Sequence, residues 1–165
     1  MNIREVIDGD FDGIWPIFHH IVKVGETYAY PRDTSKVQAE KIWLEAPRKT
    51  YVVEEAGIIV GTYFIKTNQA GPGSHVCNCG YMVSVGARGR GIASFMCKHS
   101  QKQASVLGYK AMQFNFVAVT NKGAIKLWHK LGFEQVGRLP KAFLHPSLGY
   151  VDALLMYKWL ALQSA

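Results

Sequence analysis

Three glycines and two arginines crowd the seven residues Val85–Gly91 of "VGARGRGIASFMCKHSQKQA", immediately before a run whose apolar spacing suits a helix. A helix opened by a glycine turn presents unpaired first amides and the positive end of its dipole to whatever lies ahead. The guest that such an arrangement favours is an anion, a phosphate above all. The chain must therefore deliver a strand, a tight turn and a helix in succession.

The surrounding pattern supplies the other layers. Ile3–Ile7 reads as a first strand, and Asp10 is placed to cap a helix with Ile14, Ile17, Phe18, Ile21 and Val22 on one face. Gly25 and Pro31 interrupt it, and Thr34 or Ser35 caps a second helix through Val37, Ile42 and Trp43 that ends before Pro47. "TYVVEE" and "GIIVGTYFIK" form a hairpin about Ala56 and Gly57, and the loop "NQAGPGS" leads into a strand in "HVCNCGYMVSV". The helix after the glycine turn is expected to reach Leu107, with Gly108 as its stop. A strand in "AMQFNFVAV" follows, then a helix opened by Asn121 and stopped by Gly132. "FEQVGRL" and "YVDALLMYKWL" close the chain as strands around a loop holding Pro140 and Pro146. This order, with no repeat or linker, predicts one α/β domain over residues 1–165 with a mixed sheet.

The net charge of +7 matters through its distribution. No Asp or Glu lies between Glu55 and Glu134, an interval carrying Lys66, Arg88, Arg90, Lys98, Lys102, Lys110, Lys122, Lys126 and Lys130. Such a one-sign field draws in a polyanion, either nucleic acid or a phosphorylated cofactor, or else simply solvates the surface. A nucleic-acid reader interleaves stacking aromatics with its cations, whereas the aromatics here fall at apolar strand and helix positions, so no nucleic-acid partner is expected. No membrane partner is expected either, because no stretch approaches the roughly 20 apolar residues of a span and the N-terminus lacks a signal peptide's apolar region. The expected location is the cytoplasm. Cys77, Cys79 and Cys97 suit free thiols better than a disulfide or a zinc cage, so no metal is expected.

Two phosphate-loop types fail on named residues. A P-loop needs Gly-Lys-Ser/Thr after the turn, and a dinucleotide-binding turn needs a third glycine and an acid about 20 residues on. What remains is Arg88-x-x-Gly91-x-Ala93 between a strand and a helix, which resembles the coenzyme A loop of the GNAT acetyltransferase superfamily. "NKGAIKLWHKLGF" resembles that superfamily's later motif, in the expected order. The resemblance covers Ile3 to Leu160. It implies a GNAT-like fold: a mixed, mostly antiparallel sheet with a splayed central strand pair and helices on both faces.

The resemblance further implies acetyl-CoA as co-substrate, with its pyrophosphate on the amides of Arg88, Gly89, Arg90, Gly91, Ile92 and Ala93. Gly89 and Gly91 admit close backbone approach, and small Ala93 permits close helix packing. Met82, Val83 and Val85 would pair with the pantetheine arm, and Asn121 would reach it or serve as a plain helix cap. Trp128 holds the place where many relatives carry an acidic tyrosine, and an indole cannot give up its proton at working pH. The superfamily is often dimeric, so a homodimer is an expectation.

Relatives transfer the acyl group directly, with a strand amide, expected at Val83, stabilising the oxyanion. Relatives often carry a Glu on the strand before the loop, but no carboxylate stands on that strand here, which leaves Glu26, Asp152, His75, His145 or a held water as the base. Glu26 lies in "GETYAYP", where the superfamily builds its acceptor site, with Tyr28 and Tyr30 beside it. His19 and His20 read as surface or packing residues, and His99 and His129 carry no signal. Asn78 and Asn115 stand on strands, where asparagine is disfavoured. "CNCGYMV", "FNFVAVTN" and "GYVDALLMYK" are similar to a subgroup that includes fungal azetidine-carboxylate (proline-analogue) acetyltransferases, in which those asparagines face the acceptor. The implied function is acetyl transfer from acetyl-CoA to the amine of a small molecule, an amino acid or analogue. The alternatives are a protein N-terminus acetyltransferase and a non-catalytic module that binds acyl-CoA or nucleic acid.

Overall fold

The glycine turn lies exposed between a strand and a helix. The computed structural model describes residues 1–160. In chain order it contains β1 (Asn2–Glu5), α1 (Phe11–Val24), and α2 (Lys36–Glu40) continuing as a π turn (Lys41–Glu45). There follow β2 (Lys49–Glu55), β3 (Ile58–Thr67), β4 (Val76–Val83), α3 (Ile92–Val106), β5 (Ala111–Ala118), α4 (Lys122–Lys130), β6 (Glu134–His145) and β7 (Gly149–Trp159). The element order is the one the pattern predicts. Local chemistry sets several boundaries: Ser35 and Gln38 form a reciprocal capping box at α2, and Gly25, at φ 74°, closes α1 onto the Ile21 carbonyl. Ala56 (φ 49°) and Gly57 (φ 79°) make the two-residue turn joining β2 and β3, where both central residues need positive φ to match strand twist.

The strands form one sheet in the order β1-β2-β3-β4-β5-β7-β6, and every neighbouring pair is antiparallel except β4–β5. That parallel pair holds together only over Val76–Asn78 against Ala111–Gln113 and then diverges. Strand alternation splits the core between two faces. On one face Val52, Phe64 and Met82 pack against Phe18 of α1 and Trp43 of the π turn. On the other, Tyr63, Ile65, Met112 and Phe114 pack against Met96 of α3 and Trp128 of α4. Trp43 donates its indole N–H to Thr62 Oγ1 at 3.0 Å, so this buried polar group is satisfied.

Three expectations need correction. Asp10 does not cap α1 with its side chain. Its carboxylate is taken by the Arg4 guanidinium at 2.6 and 3.0 Å and by the Ile7 amide at 2.8 Å, because a bidentate charged partner outcompetes a helix amide. Pro140 is not in a loop but within β6, an edge strand, at a bulge spanning Leu139 to Phe143 where no ladder donor is required. The close approach of α3 to the sheet is set by Gly61 rather than Ala93: a Cβ on Gly61 would lie 3.0 Å from Ile92 Cγ2, while Ala93 faces the cleft described below. No helix among the described residues is long and apolar enough to cross a membrane. Cys77, Cys79 and Cys97 are free and buried.

Candidate active site

Where β4 and β5 part, a cleft of about 900 Å³ opens between the α1–α2 loop on one side and the starts of α3 and α4 on the other. One end is made of backbone. The first amide of α3 to find a carbonyl is that of Phe95, which bonds to Gly91 O at 3.0 Å. The amides of Ile92, Ala93 and Ser94 are therefore the orphans of the first turn. Gly89 (φ 75°) and Gly91 (φ 78°) adopt the left-handed backbone that turns the chain into the helix. A Cβ on either would meet nothing within 4 Å, so the turn is open on the side an anion would approach. Arg88 lines the cleft at this end. Arg90 does not: its guanidinium pairs with Glu55 at 2.7 Å. Orphan amides, an open turn and a lining cation with no facing carboxylate fit the pyrophosphate of coenzyme A.

The middle of the cleft is the splayed edge of β4. The Ser84 amide bonds to Val60 O at 2.9 Å, and Thr62 stands opposite Met82, so the even-numbered positions direct their backbone groups to β3. By alternation the amides and carbonyls of Tyr81 and Val83 face the splay. Met82 lines the cleft, but the expected pairing of its backbone with the pantetheine arm is corrected, because that backbone is committed to β3 and the side chain is buried against α1. Val85 is corrected too, since it lies in a short 3₁₀ turn (Val85–Ala87), its carbonyl accepts from Arg88, and it lies outside the cleft. Trp128 forms the wall, 5.2 Å from the Tyr81 ring and 4.9 Å from that of Phe114. Asn121 precedes α4 without a side-chain cap bond, and it lines the cleft.

The other end is made of side chains. Tyr28 donates to the Tyr81 carbonyl at 2.8 Å, which lays the α1–α2 loop across the splay. Tyr30 stacks on Tyr28 at 5.5 Å with planes 10° apart. Gly80 makes room beneath them, because a Cβ there would sit 2.6 Å from the Phe64 ring and 3.2 Å from the Tyr28 hydroxyl. Burial, and then the neighbouring Tyr30, push the Tyr28 phenol far above its usual range; burial alone takes Tyr30 up to about 12. Both phenols are neutral donors at physiological pH. Asn78 donates to the Gln113 carbonyl at 2.9 Å, closing the point where the strands separate. Asn115 donates to Asn68 at 2.7 Å and accepts from Gln113 at 3.0 Å. Glu26 is exposed at the mouth and is the only carboxylate lining the cleft among the described residues.

The remaining base candidates lie elsewhere. His75 is exposed near Trp159. His145 is buried in the β6–β7 turn, accepting from the Ser147 and Leu148 amides at 3.2 Å. Asp152 accepts from the Lys141 amide and is held by Arg138 at 2.5 Å, which together keep its carboxyl below the usual carboxylate pKa. His20 lines the cleft after all, whereas the His19 ring lies tilted against Trp15, 4.8 Å between centroids. His99 meets the Tyr63 hydroxyl at 2.6 Å beneath α3, and His129 meets the Phe133 carbonyl at 3.1 Å.

Residues 15–133 match the model of the Acetyltransferase (GNAT) family. The chain belongs to this family. It is 39% identical to a GCN5-related N-acetyltransferase from Kribbella flavida, whose structure superposes with a TM-score of 0.91 over 96% of this chain and 97% of that one. It is 36% identical over 109 residues to the N-acetyltransferase aca1 of Schizosaccharomyces pombe, a match covering 65% of this chain and 52% of that protein. The chain thus spans about half the length of that relative. At 20% identity, yncA of Salmonella typhimurium, solved with its cofactor acetyl-CoA, shares the fold with a TM-score of 0.83, covering 100% of this chain and 96% of that one.

In this GNAT chain the sequence motifs pointed to the backbone end and passed over much of the acceptor end. Phe64 and Lys66 line the cleft and lie in no motif, and Gly80, Tyr81 and Phe116 line it from within "CNCGYMV" and "FNFVAVTN" without a role assigned to them from sequence. A usable signal existed in strand parity. Phe64 and Lys66 share one face of β3, opposite Gly80 and Asn78 of β4, so a glycine and an asparagine on one strand answer an aromatic and a cation on the next.

Proposed function

We propose that this chain is an acetyl-CoA-dependent N-acetyltransferase that acts on a small-molecule amine, an amino acid or analogue, by direct transfer. The observation that carries the reading is the continuity of one cleft. The orphan amides of α3, the free edge of β4 and a compact polar pocket under the α1–α2 loop follow one another along it. When bound, acetyl-CoA supplies an activated acyl group and a thiolate able to leave. Around it, Arg88 and the amides of Gly89, Gly91, Ile92 and Ala93 hold the pyrophosphate. The amide of Val83, with that of Tyr81 one step deeper, donates to the carbonyl oxygen as charge develops there. Asn78 and Asn115 orient the amine and a proton-accepting water, Glu26 draws the amine to the mouth, and Asn121 and Trp128 contain the thiol arm.

No acid is dedicated to the leaving thiol. A thiol with a pKa near the roughly 8.5 of cysteine leaves tolerably without one, and positioning of reacting groups alone supplies several orders of magnitude. The similarity of "CNCGYMV" and "FNFVAVTN" to the azetidine-carboxylate subgroup supports an amino-acid acceptor. The test is a coenzyme-release screen with acetyl-CoA against amino acids, secondary amines, polyamines, aminoglycosides and N-terminal peptides, with product mass as the second readout. Release confined to small amines is expected. Release only with peptides, or with no acceptor in any class, overturns the proposal.

A further inference from the structure

The side-chain end of the cleft holds a cation that the acetyl-transfer scheme does not use. Lys66 lies on β3 directly opposite Asn78, the last residue at which β4 and β5 pair. It is half-buried, and its Nζ sits 5.3 Å from the centroid of the Phe64 ring, which fixes the side chain against the pocket wall. None of the six ion pairs among the described residues includes Lys66. Among the described residues the cleft is lined by one carboxylate, Glu26, and it forms none of those ion pairs either. Lys66 is also too far from the phosphate turn to serve it. Asn78 and Val83 are five residues apart on β4, about 16 Å of extended strand, and the turn begins beyond Val83.

A half-buried lysine that lines a ligand cleft with no ion-pair partner among the described residues is a site for an anionic group. Its cross-strand neighbour is the uncharged Asn78, which does not compete with Lys66 for a carboxylate's charge and stays free to orient the amine beside it. We infer that Lys66 anchors the carboxylate of the acceptor and so makes this site selective for amines that carry one, free amino acids rather than amides, polyamines or peptide N-termini. The inference rests on the acetyl-transfer reading and deepens it: Lys66 at the inner end and Glu26 at the mouth offer opposite charges to the two ends of a zwitterion. Lys66 is a specificity residue, and no proton transfer is assigned to it.

The test compares matched acceptors in the unaltered protein: each amino acid of a panel, its carboxamide, and the amine left by removing the carboxyl group, all with saturating acetyl-CoA. Wild type is expected to favour the acid over both analogues by at least tenfold in kcat/KM. Lys66→Met keeps the stem that covers Phe64 and loses the charge; it should raise KM for the acids at least tenfold, leave the carboxamides unchanged and leave the Kd for acetyl-CoA unchanged. Lys66→Arg should retain most of the preference, and it provides the reading if the methionine variant fails to fold. Equal use of acids and carboxamides by wild type overturns the Lys66 assignment while acetyl transfer stands. Acetyl-CoA binding with no transfer to any amine overturns the acetyl-transfer reading and the Lys66 inference with it.

Discussion

At its phosphate end the cleft is made from one contiguous turn, Gly89 to Ser94, whose amides point outward because helix geometry leaves them no partner. At its acceptor end it is made from side chains that arrive from the α1–α2 loop, β3, β4 and β5, and that are placed by packing and by hydrogen bonds across the splay. The first kind of site is indifferent to what the other end binds. The second is particular to this chain: replacing Phe64, Gly80 or Lys66 would change what fits without disturbing the turn. On the proposed function, the difference implies that cofactor binding and acceptor choice are separable, joined by the free edge of β4 at Tyr81 and Val83.

The largest expected effect attacks the backbone end. Gly91→Glu places a carboxylate against the pyrophosphate, and like-charge juxtaposition costs several kcal/mol, so acetyl-CoA affinity should fall by about a hundredfold or more. The residue's φ of 78° also strains any side chain there, by about 1–2 kcal/mol. Calorimetry beside a thermal melt separates the two losses: a folded variant with unchanged affinity would remove Gly91 from the phosphate site. At the side-chain end, Asn78→Ala deletes the bond to the Gln113 carbonyl that closes the splay. A displacement of about 1 Å at reacting groups can cost about a hundredfold, so turnover should fall between ten- and a hundredfold. Steady-state kinetics at wild-type rates would free Asn78 from the chemistry.

Between the two ends, Trp128→Phe keeps an aromatic wall against Tyr81 and Phe114 and removes only the indole N–H. It should cost less than tenfold in kcat, about 1.4 kcal/mol. A nearly inactive variant would mean that the indole, and not positioning, assists the leaving thiol. The smallest effect is expected at the mouth. Glu26 is exposed, and exposed charge pairs are worth about 0.2–1 kcal/mol. Glu26→Gln should therefore raise KM for the amine by about two- to fivefold without altering the acetyl-CoA Kd, and a loss of turnover with a changed pH profile would promote Glu26 to general base.

The same contrast explains what could be read from the chain alone. The turn announces itself because its requirements are local: glycines at Gly89 and Gly91 for positive φ, and a helix that starts at the very next residue, Ile92. Element order was equally legible, since Gly25, Gly108 and Gly132 stop helices where the apolar period ends. What failed was non-local. Asp10 looked like a cap until Arg4 came within 2.6 Å of it. Pro140 looked like a loop residue until β6 proved to be an edge with a bulge. Arg90 and Val85 belong to the motif by spacing but turn away from the cleft, because Glu55 lies within reach of one and a 3₁₀ turn carries off the other. Met82 was misassigned for a simpler reason, since strand alternation directs its backbone to β3 and leaves Tyr81 at the splay. Lys66 had no local mark at all; only the register of β3 on β4 brings it beside Asn78.

The separability of the two ends is tested most directly by titrating acetyl-CoA calorimetrically into the Asn78→Ala variant. The two-ended cleft predicts a Kd within about twofold of wild type, well under 1.4 kcal/mol, in an enzyme whose turnover has fallen at least tenfold. A Kd that weakens in step with turnover would mean that the acceptor residues also hold the cofactor, and that the cleft works as a single site.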